Sequence, residues 1–270
     1  MDIIFAKSKW EWPEKSTEDF LKQVKADGFD STEFYVNETK ESPQELVDLH
    51  KKYGLKMIAQ FLTEGRTFRD HLQSIDRLAG KALACKPILV NCHPGRDYFS
   101  FKENLNLLKK LTELSDETNI LFTAETHRGR ATYSLIETVK YLRVIPELLL
   151  TADFSHWMVV HESDLMDQND KLNLAIARSR HIHARVGYEE GPQITDPRAP
   201  EWENHLNNHL SIWQRIVDNC KSLNLDFLAV TPEFGPPAYM HTLPYSNKPV
   251  ADTWEINVAM KDIFKERINW

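Results

Sequence analysis

Four short apolar segments in the second half of the chain each end in a polar side chain. They are Leu121–Glu125, Leu148–Asp153, His181–His183 and Phe227–Glu233, and the residues at their ends are Glu125, Asp153, His183 and Glu233. Each segment is short enough to be a buried strand, so separate strands can direct these side chains toward one point. Three carboxylates and one imidazole make a mostly oxygen ligand set, which suits Mn²⁺, Mg²⁺ or Co²⁺ and also accepts Zn²⁺. The sequence therefore predicts a divalent metal site.

Each of these residues also has an ordinary structural explanation. Glu125 can be a surface carboxylate that pairs with a nearby arginine, and Asp153 can cap the next helix. His183 can be a hydrogen-bonded core residue, and Glu233 can be an acid in a loop. Taken together they favour a metal site, because clustered carboxylates raise one another's pKa values until a cation is bound.

The elements that must position these residues alternate along the chain. Apolar segments predict strands, and amphipathic stretches with recognisable N-caps, such as Ser16 and Ser42, predict helices between them. No Pro-, Gly- or Ser-rich linker divides the chain. The eight predicted strands are Asp2 to Ala6, Ser31 to Val36, Lys56 to Leu62, Pro87 to Cys92, Ile120 to Glu125, Leu148 to Asp153, His181 to Val186 and Asp226 to Val230.

Eight strand–helix units indicate a closed α/β structure, the (β/α)8 TIM barrel, as a single domain over residues 1–270. An open doubly wound sheet is the alternative. The closed form is favoured because the ligand candidates lie at the carboxyl ends of the last four strands, where barrel active sites are found. The longer interval before Glu233 requires an extra loop, which the Pro-containing segment 187–202 supplies.

Composition narrows the class of protein. The chain has 270 residues, 41% of them hydrophobic, and a formal charge of -7. This acidic balance disfavours a nucleic-acid partner, because such binding depends on Lys and Arg at phosphates. There is no apolar stretch of membrane-spanning length and no signal-peptide core near Met1. Three cysteines without a CxxC pair fit a reduced, cytoplasmic protein.

Several motifs resemble those of the xylose-isomerase-like TIM-barrel superfamily, and the resemblance extends over the whole chain. The Glu, Asp, His, Glu quartet on strands five to eight is its most specific part. The segment Gly28–Glu33 is similar to the family's Gly-Tyr/Phe-Asp-Gly-Val-Glu, although Ser31 and Thr32 replace the usual small and apolar residues. Asp153-Phe-Ser-His156, His181-Ile-His183 and the Glu-Thr-His-Arg-Gly segment around Arg128 also resemble family motifs.

The resemblance implies a metal-dependent isomerase or epimerase of carbohydrate metabolism, acting on a sugar, a sugar phosphate or a keto acid. A metal held by the quartet would polarise a carbonyl, and Glu125 and Glu233 would transfer a proton through a cis-enediolate. The predicted substrate-binding residues are polar or aromatic, and each is expected to lie near the quartet. They are His156, Arg185, His93, Arg128, Trp157 and Trp10. For the two tryptophans, packing in the core is an equal alternative.

Three other functions remain as alternatives. The same site can act as a dehydratase of a cyclic polyol or keto acid, because the enolate can expel a β-hydroxyl. A barrel that binds a carbohydrate or metabolite without converting it belongs to a different class. A DNA nuclease is disfavoured, because Gln60 stands where the DNA-cleaving members have an extra histidine and Asp196-Pro-Arg198 replaces their Asp-x-His.

The oligomeric state stays open, although aromatics between Tyr188 and Trp202 suit a homo-oligomer contact or a lid.

Overall fold

The structure, a computed structural model, describes all residues from Met1 to Trp270. Its eight parallel strands form a closed barrel in chain order, with β1 paired to both β2 and β8. The predicted (β/α)8 TIM barrel is therefore confirmed. The strands are β1 (Asp2–Ser8), β2 (Ser31–Tyr35), β3 (Lys56–Leu62), β4 (Leu89–His93), β5 (Leu121–Glu125), β6 (Leu149–Ala152), β7 (Ser179–His183) and β8 (Phe227–Thr231).

Nine α-helices surround this barrel. They are α1 (Thr17–Ala26), α2 (Pro43–Tyr53), α3 (Phe68–Ala84), α4 (Phe101–Thr118), α5 (Leu135–Val144), α6 (Ser155–His161), α7 (Asn169–Arg178), α8 (Glu203–Ser222) and α9 (Thr253–Arg267). Short 3-10 turns occupy Lys9–Glu11, Met166–Gln168 and Pro200–Trp202. None of the helices combines the length and apolar character needed to cross a membrane.

The helix starts predicted from Ser16 and Ser42 are confirmed. Ser16 accepts a hydrogen bond from the backbone of Asp19, and Ser42 forms a reciprocal capping box with Glu45. Such caps satisfy backbone N–H groups that the first turn of a helix leaves free. The apolar residues that recur at helical spacing in α4 and α8 are buried: Leu107, Leu108, Leu111, Leu114, Ile212, Trp213, Ile216 and Val217.

Strand β7 begins and ends earlier than the predicted span of His181 to Val186. The chain bends after His183, because Ala184 N donates to Thr231 O at 2.8 Å and Arg185 N turns back to His183 O at 2.9 Å. His183 is therefore the last residue of its strand, and Arg185 is held directly above it by the bend.

The barrel interior changes character along its axis. Ala6, Ile58, Leu89 and Ala229 form a small apolar cluster nearer the amino ends of the strands. Toward the carboxyl ends the interior becomes polar, and hydrogen bonds link its side chains from strand to strand and across the barrel: Thr123, Thr151, His181, Thr231 and Glu33. This polar layer supports the residues at the carboxyl mouth, where the candidate site lies.

Candidate metal centre and active site

The carboxyl ends of four consecutive strands bring the predicted quartet together. Glu125 ends β5, Asp153 directly follows β6, His183 ends β7, and Glu233 lies two residues beyond β8. One nitrogen or oxygen atom from each residue lies within 4.8 Å of the corresponding atom of every other residue. All four residues are buried, and none is more than 4% exposed.

The structure does not support the ordinary explanations of Glu125 and Asp153. The N-cap of α6 is Phe154, and the side chain of Asp153 instead accepts hydrogen bonds from Ser155 and Arg185. Glu125 is 1% exposed, and its neighbours are His93 and Asn91 with no arginine within salt-bridge distance. Asp153 is thus not a helix cap, and Glu125 is not a surface carboxylate paired with an arginine.

His183 shows why this arrangement suits a cation. Its Nδ1 atom lies 2.8 Å from Glu233 Oε2, 3.5 Å from Glu125 Oε2 and 4.0 Å from Asp153 Oδ2. Yet this buried nitrogen makes no hydrogen bond of acceptable geometry. A ring nitrogen directed at three carboxylates without a hydrogen bond is the donor set of a divalent metal site, so the residues present fit such an ion.

Glu33, in the middle of β2, orients the imidazole of His183. Its two oxygens lie 3.2 and 3.1 Å from His183 Nε2, and Thr231 Oγ1 donates to the same carboxylate at 2.9 Å. A carboxylate on one ring nitrogen fixes the tautomer that leaves the other nitrogen free to bind a metal. The sequence analysis included Glu33 in a family motif but gave it no function, since only its contact with His183, 150 positions away, reveals one.

Arg185 supplies the positive charge of the site. Its Nη2 atom forms an ion pair with Asp153 and lies 3.8 Å from Glu233 Oε2. It is the one arginine or lysine within 4.0 Å of the quartet, and it is 2% exposed. Together with Glu33, the site contains four buried carboxylates against this single permanent cation, which favours an additional positive ion.

Burial and this excess of negative charge shift the pKa values of the site residues. Burial alone would lower the pKa of His183, but Glu233, Glu33 and Glu125 raise it well above its usual value. Burial raises the pKa of Glu233 to about 7, against the opposing effects of His183 and Arg185. Burial also acts to raise the pKa of Glu125, but His93 and His183 hold it well below the usual range.

These shifts predict that metal binding releases protons. His183 and Glu233 carry protons at pH 6 in the metal-free protein, and both must lose them to become ligands, so we expect release of about two protons per ion. At pH 8 Glu233 has already ionised, so fewer protons are released. Metal affinity therefore rises with pH. Calorimetric titrations in buffers of different ionisation enthalpy measure both the number of protons released and the metal affinity. A metal affinity that is constant from pH 6 to 8 would contradict the prediction.

A cavity of about 260 Å³ opens onto the quartet at the carboxyl face of the barrel. Glu125, Glu233 and Arg185 form its polar base. The other lining residues are Trp10, Tyr35, Gln60, Leu62, His93, His127 and Tyr239. Its size and its mixture of aromatic and polar walls suit a small polar molecule.

Two of the predicted substrate-binding residues, besides Arg185, line this cavity. His93 Nε2 lies 2.6 Å from Glu125 Oε2, and Gln60 Nε2 lies 3.0 Å from the same imidazole nitrogen. Trp10 forms part of the wall and meets the edge of Tyr239, with ring centres 5.6 Å apart. Both residues can therefore contact a bound molecule.

The other three predicted substrate-binding residues lie outside the lining. His156 is buried behind it, 2.9 Å from Arg185 Nη2. Arg128 is exposed on the far side of Tyr239, with its guanidinium 5.2 Å from the ring centre. Trp157 is completely buried, stacks on Phe154 and donates to the backbone of Thr132. Trp157 therefore packs in the core, which was the alternative to substrate binding for this residue.

Sequence reasoning did not identify several cavity residues. Gln60 was noted only as a departure from a nuclease pattern, and Tyr35, Leu62, His127 and Tyr239 were not assigned to the site. Tyr239 comes from the loop after β8 and covers Arg185, with its ring centre 4.6 Å from the guanidinium carbon. His127 follows Glu125 by two residues, a spacing that could have indicated it, whereas the position of Tyr239 depends on the loop conformation.

Comparison with known proteins identifies the fold. No protein-family model matches the sequence, and no curated protein is significantly similar to it. Among solved structures, a xylose isomerase domain containing protein from Salmonella typhimurium is similar with a TM-score of 0.68 and 15% identity, over 98% of this chain and 99% of that one. The chain has the xylose-isomerase-like TIM-barrel fold. The resemblance stated from the sequence is therefore confirmed at the level of the fold.

Two further similar structures have different activities in their names. The probable 3-DHS dehydratase AsbF of Bacillus anthracis has a TM-score of 0.62 and 16% identity, over 98% of this chain and 99% of that chain. Endonuclease IV of Thermus thermophilus has a TM-score of 0.62 and 12% identity, over 97% of this chain and 99% of that chain. The reaction of a xylose-isomerase-like barrel therefore has to be inferred from its site.

Proposed function

We propose that this protein is a divalent-metal-dependent isomerase or epimerase that acts on a small sugar, sugar phosphate or keto acid. The observation that carries the proposal is the buried quartet of Glu125, Asp153, His183 and Glu233, whose ligand atoms lie within 4.8 Å of one another. This quartet opens onto a cavity large enough for a small polar molecule. Mn²⁺, Mg²⁺, Co²⁺ and Zn²⁺ all accept such ligands.

A divalent ion held by Glu125, Asp153, His183 and Glu233 would supply Lewis acidity, which would polarise a substrate carbonyl and make the hydrogen on the adjacent carbon acidic. Glu125 and Glu233 both border the cavity, so either carboxylate can reach a substrate held there. One removes the proton from the carbon next to the carbonyl, and the substrate becomes a cis-enediolate. Return of a proton to the former carbonyl carbon, with transfer of the hydroxyl proton to the former carbonyl oxygen, gives isomerisation. Return to the opposite face of the original carbon gives epimerisation.

The remaining cavity residues position the substrate. Arg185 offers N–H groups to hydroxyl or carbonyl oxygens, and His93 and Gln60, which contact each other, form a polar part of the wall. Trp10 and Tyr239 form an aromatic wall, and such a wall packs against the apolar face of a sugar. These residues would hold the reacting carbon near the two glutamates and exclude water from it.

Solvent exchange tests this proton transfer. Metal-loaded protein is incubated in D₂O with a panel of ketoses, aldoses and keto acids, and deuterium at the carbon next to the carbonyl is followed by NMR. We expect metal-dependent incorporation into product or recovered substrate, with metal-stripped protein as the control. Turnover without any incorporation would exclude proton transfer through solvent-exchangeable carboxylates.

A dehydratase is the second candidate on the same site. It is favoured by one specific observation, the fold similarity to the probable dehydratase AsbF, together with the fact that an enolate can expel a β-hydroxyl. The D₂O experiment separates the two, because dehydration yields an unsaturated product.

A non-catalytic binding barrel would instead bind ligand while taking up no divalent ion. Gln60 and the formal charge of -7 disfavour a nuclease.

A further inference from the structure

Two arginines near the rim of the cavity have no acidic partner. Arg96 lies in the loop after β4, and Arg130 lies in the loop after β5. No carboxylate oxygen lies within 4.0 Å of either guanidinium, whereas Arg198 on the same face of the barrel is neutralised by Asp196 at 2.7 Å. In a protein with a formal charge of -7, two neighbouring unpaired arginines indicate that their partner is absent from the chain itself.

The loops that carry these arginines are fixed to one another. Ala131 N donates to Pro94 O at 2.9 Å, and Gly95 N donates to Thr63 Oγ1 at 2.8 Å. Gly95 has a φ of +60°, and a Cβ atom there would lie 2.2 Å from Asn104 Oδ1, so only glycine fits. The positions of both arginines are therefore set before any ligand binds, which lowers the entropy cost of binding.

Both guanidinium groups have N–H donors that make no hydrogen bond within the protein. Arg96 Nε is buried and has no hydrogen-bond partner, and one face of the Arg96 guanidinium is covered by Tyr98 at 5.3 Å. Arg130 makes one long contact, from Nη1 to Thr63 O at 3.4 Å. Burial and the nearby charge of Arg96 lower the pKa of Arg130, as two cations do when no anion separates them.

This pair lies outside the cavity lining on the loops after β4 and β5, whereas Arg185 lines the cavity and follows β7. Arg130 contacts Thr63, which follows the lining residue Leu62, and its charge also acts on the phenol of Tyr35, another lining residue. The metal centre at the base is rich in carboxylates, whereas beside β3, β4 and β5 the guanidinium groups of Arg96 and Arg130 have no carboxylate within 4.0 Å, although the charges of Glu38 and Glu64 also act on Tyr35. A substrate that spans the cavity would thus meet a cation-binding centre at one end and free guanidinium groups at the other.

We infer that Arg96 and Arg130 form an anion subsite that binds a phosphate or carboxylate group at the end of the substrate remote from the metal centre. The inference rests on the proposed function for its choice of substrate, and it narrows that substrate to an anionic sugar or sugar acid. Guanidinium groups donate paired N–H groups to both kinds of oxyanion, so phosphate and carboxylate share this chemistry.

Anion binding to the metal-free, full-length protein tests the subsite without any need for turnover. Inorganic phosphate and D-glycerate are titrated calorimetrically into the wild type and into Arg96→Gln, Arg130→Gln and the double variant. Each charged hydrogen-bond donor lost should raise the Kd about tenfold or more. Arg198→Gln, which removes an arginine already neutralised by Asp196, should leave the Kd unchanged. The tighter of the two probes identifies the anion.

Equal binding by the wild type and the double variant, or no binding of either probe to the wild type, would overturn the inference. Arg96→Lys and Arg130→Lys keep the charge, so partial recovery of binding shows that a loss in the Gln variants is not caused by misfolding. With metal-loaded protein, the variants should raise KM for an anionic substrate while kcat stays unchanged. Anion binding without turnover would overturn the proposed function alone, and turnover of an anionic substrate with a KM that is unchanged in the double variant would overturn the subsite alone.

Discussion

Glu233→Gln should abolish most of the turnover while the protein remains folded. The substitution keeps the size of the side chain but removes the carboxylate that borders the cavity and lies 2.8 Å from His183 Nδ1. An amide is too weak a base to take the proton, and loss of a general base typically costs about 10²–10⁴-fold in rate. The rate should be measured at saturating metal, because loss of one anionic ligand also weakens metal binding.

Glu38→Gln is the matched control for this substitution. Glu38 is an exposed carboxylate on the same face of the barrel, and it makes no salt bridge and lies outside the cavity. It should leave both rate and bound metal unchanged. If Glu233→Gln retains wild-type turnover with its metal bound, then Glu233 is not the proton-transfer group.

Arg185→Met should cause the largest loss of stability among single substitutions at the site, and metal should restore part of it. Arg185 is the buried partner of Asp153, and removal of one member of a buried ion pair costs about 3–5 kcal/mol of unfolding free energy. A divalent ion replaces the missing positive charge. At one hundred times its Kd it adds about 2.7 kcal/mol of unfolding free energy.

Denaturant titrations with and without metal measure both effects. Metal should stabilise Arg185→Met more than it stabilises the wild type, since the variant site carries one more uncompensated negative charge. Arg198→Met provides the control, because its ion pair with Asp196 is largely exposed and should contribute at most about 1 kcal/mol. An equal effect of metal on the wild type and on Arg185→Met would show that Arg185 and the ion do not share a charge environment.

The barrel could be predicted from the sequence because each strand has a local signal. Lys56–Leu62 has the predicted bounds, and most other strand ends differ by one or two residues. Strand β7 differs more, since its end depends on a hydrogen bond from Ala184 to Thr231 on the neighbouring strand. Apolar periodicity does not record such contacts between distant parts of a chain.

The candidate metal ligands could be predicted for a related reason. A carboxylate directly after a buried strand of a parallel barrel has to lie at the carboxyl mouth, whatever the loops do. Supporting residues carry no such local signal. Glu33 and Asn91 reach the centre only through contacts across the barrel, where Asn91 Nδ2 donates to Glu33 at 3.0 Å and to Glu125 at 2.7 Å.

Aromatic residues were the hardest to place from the sequence. Trp10 and Trp157 follow strand ends in the same general way, yet Trp10 lines the cavity and Trp157 packs beneath the surface against Phe154. The difference lies in the local turn. Trp157 lies within α6 and donates to Thr132 O, which directs its ring into the core. A large aromatic side chain is suited both to a cavity wall and to the core, so the residue type alone does not distinguish the two positions.

The most direct test of the central claim is anomalous diffraction from crystals grown with Mn²⁺, Co²⁺ or Zn²⁺. The account predicts one strong anomalous peak at the carboxyl mouth of the barrel, with Glu125, Asp153, His183 and Glu233 all at coordination distance, about 2.0–2.3 Å. A well-occupied ion elsewhere with this quartet empty, or no ion at millimolar metal and pH 8, would contradict it.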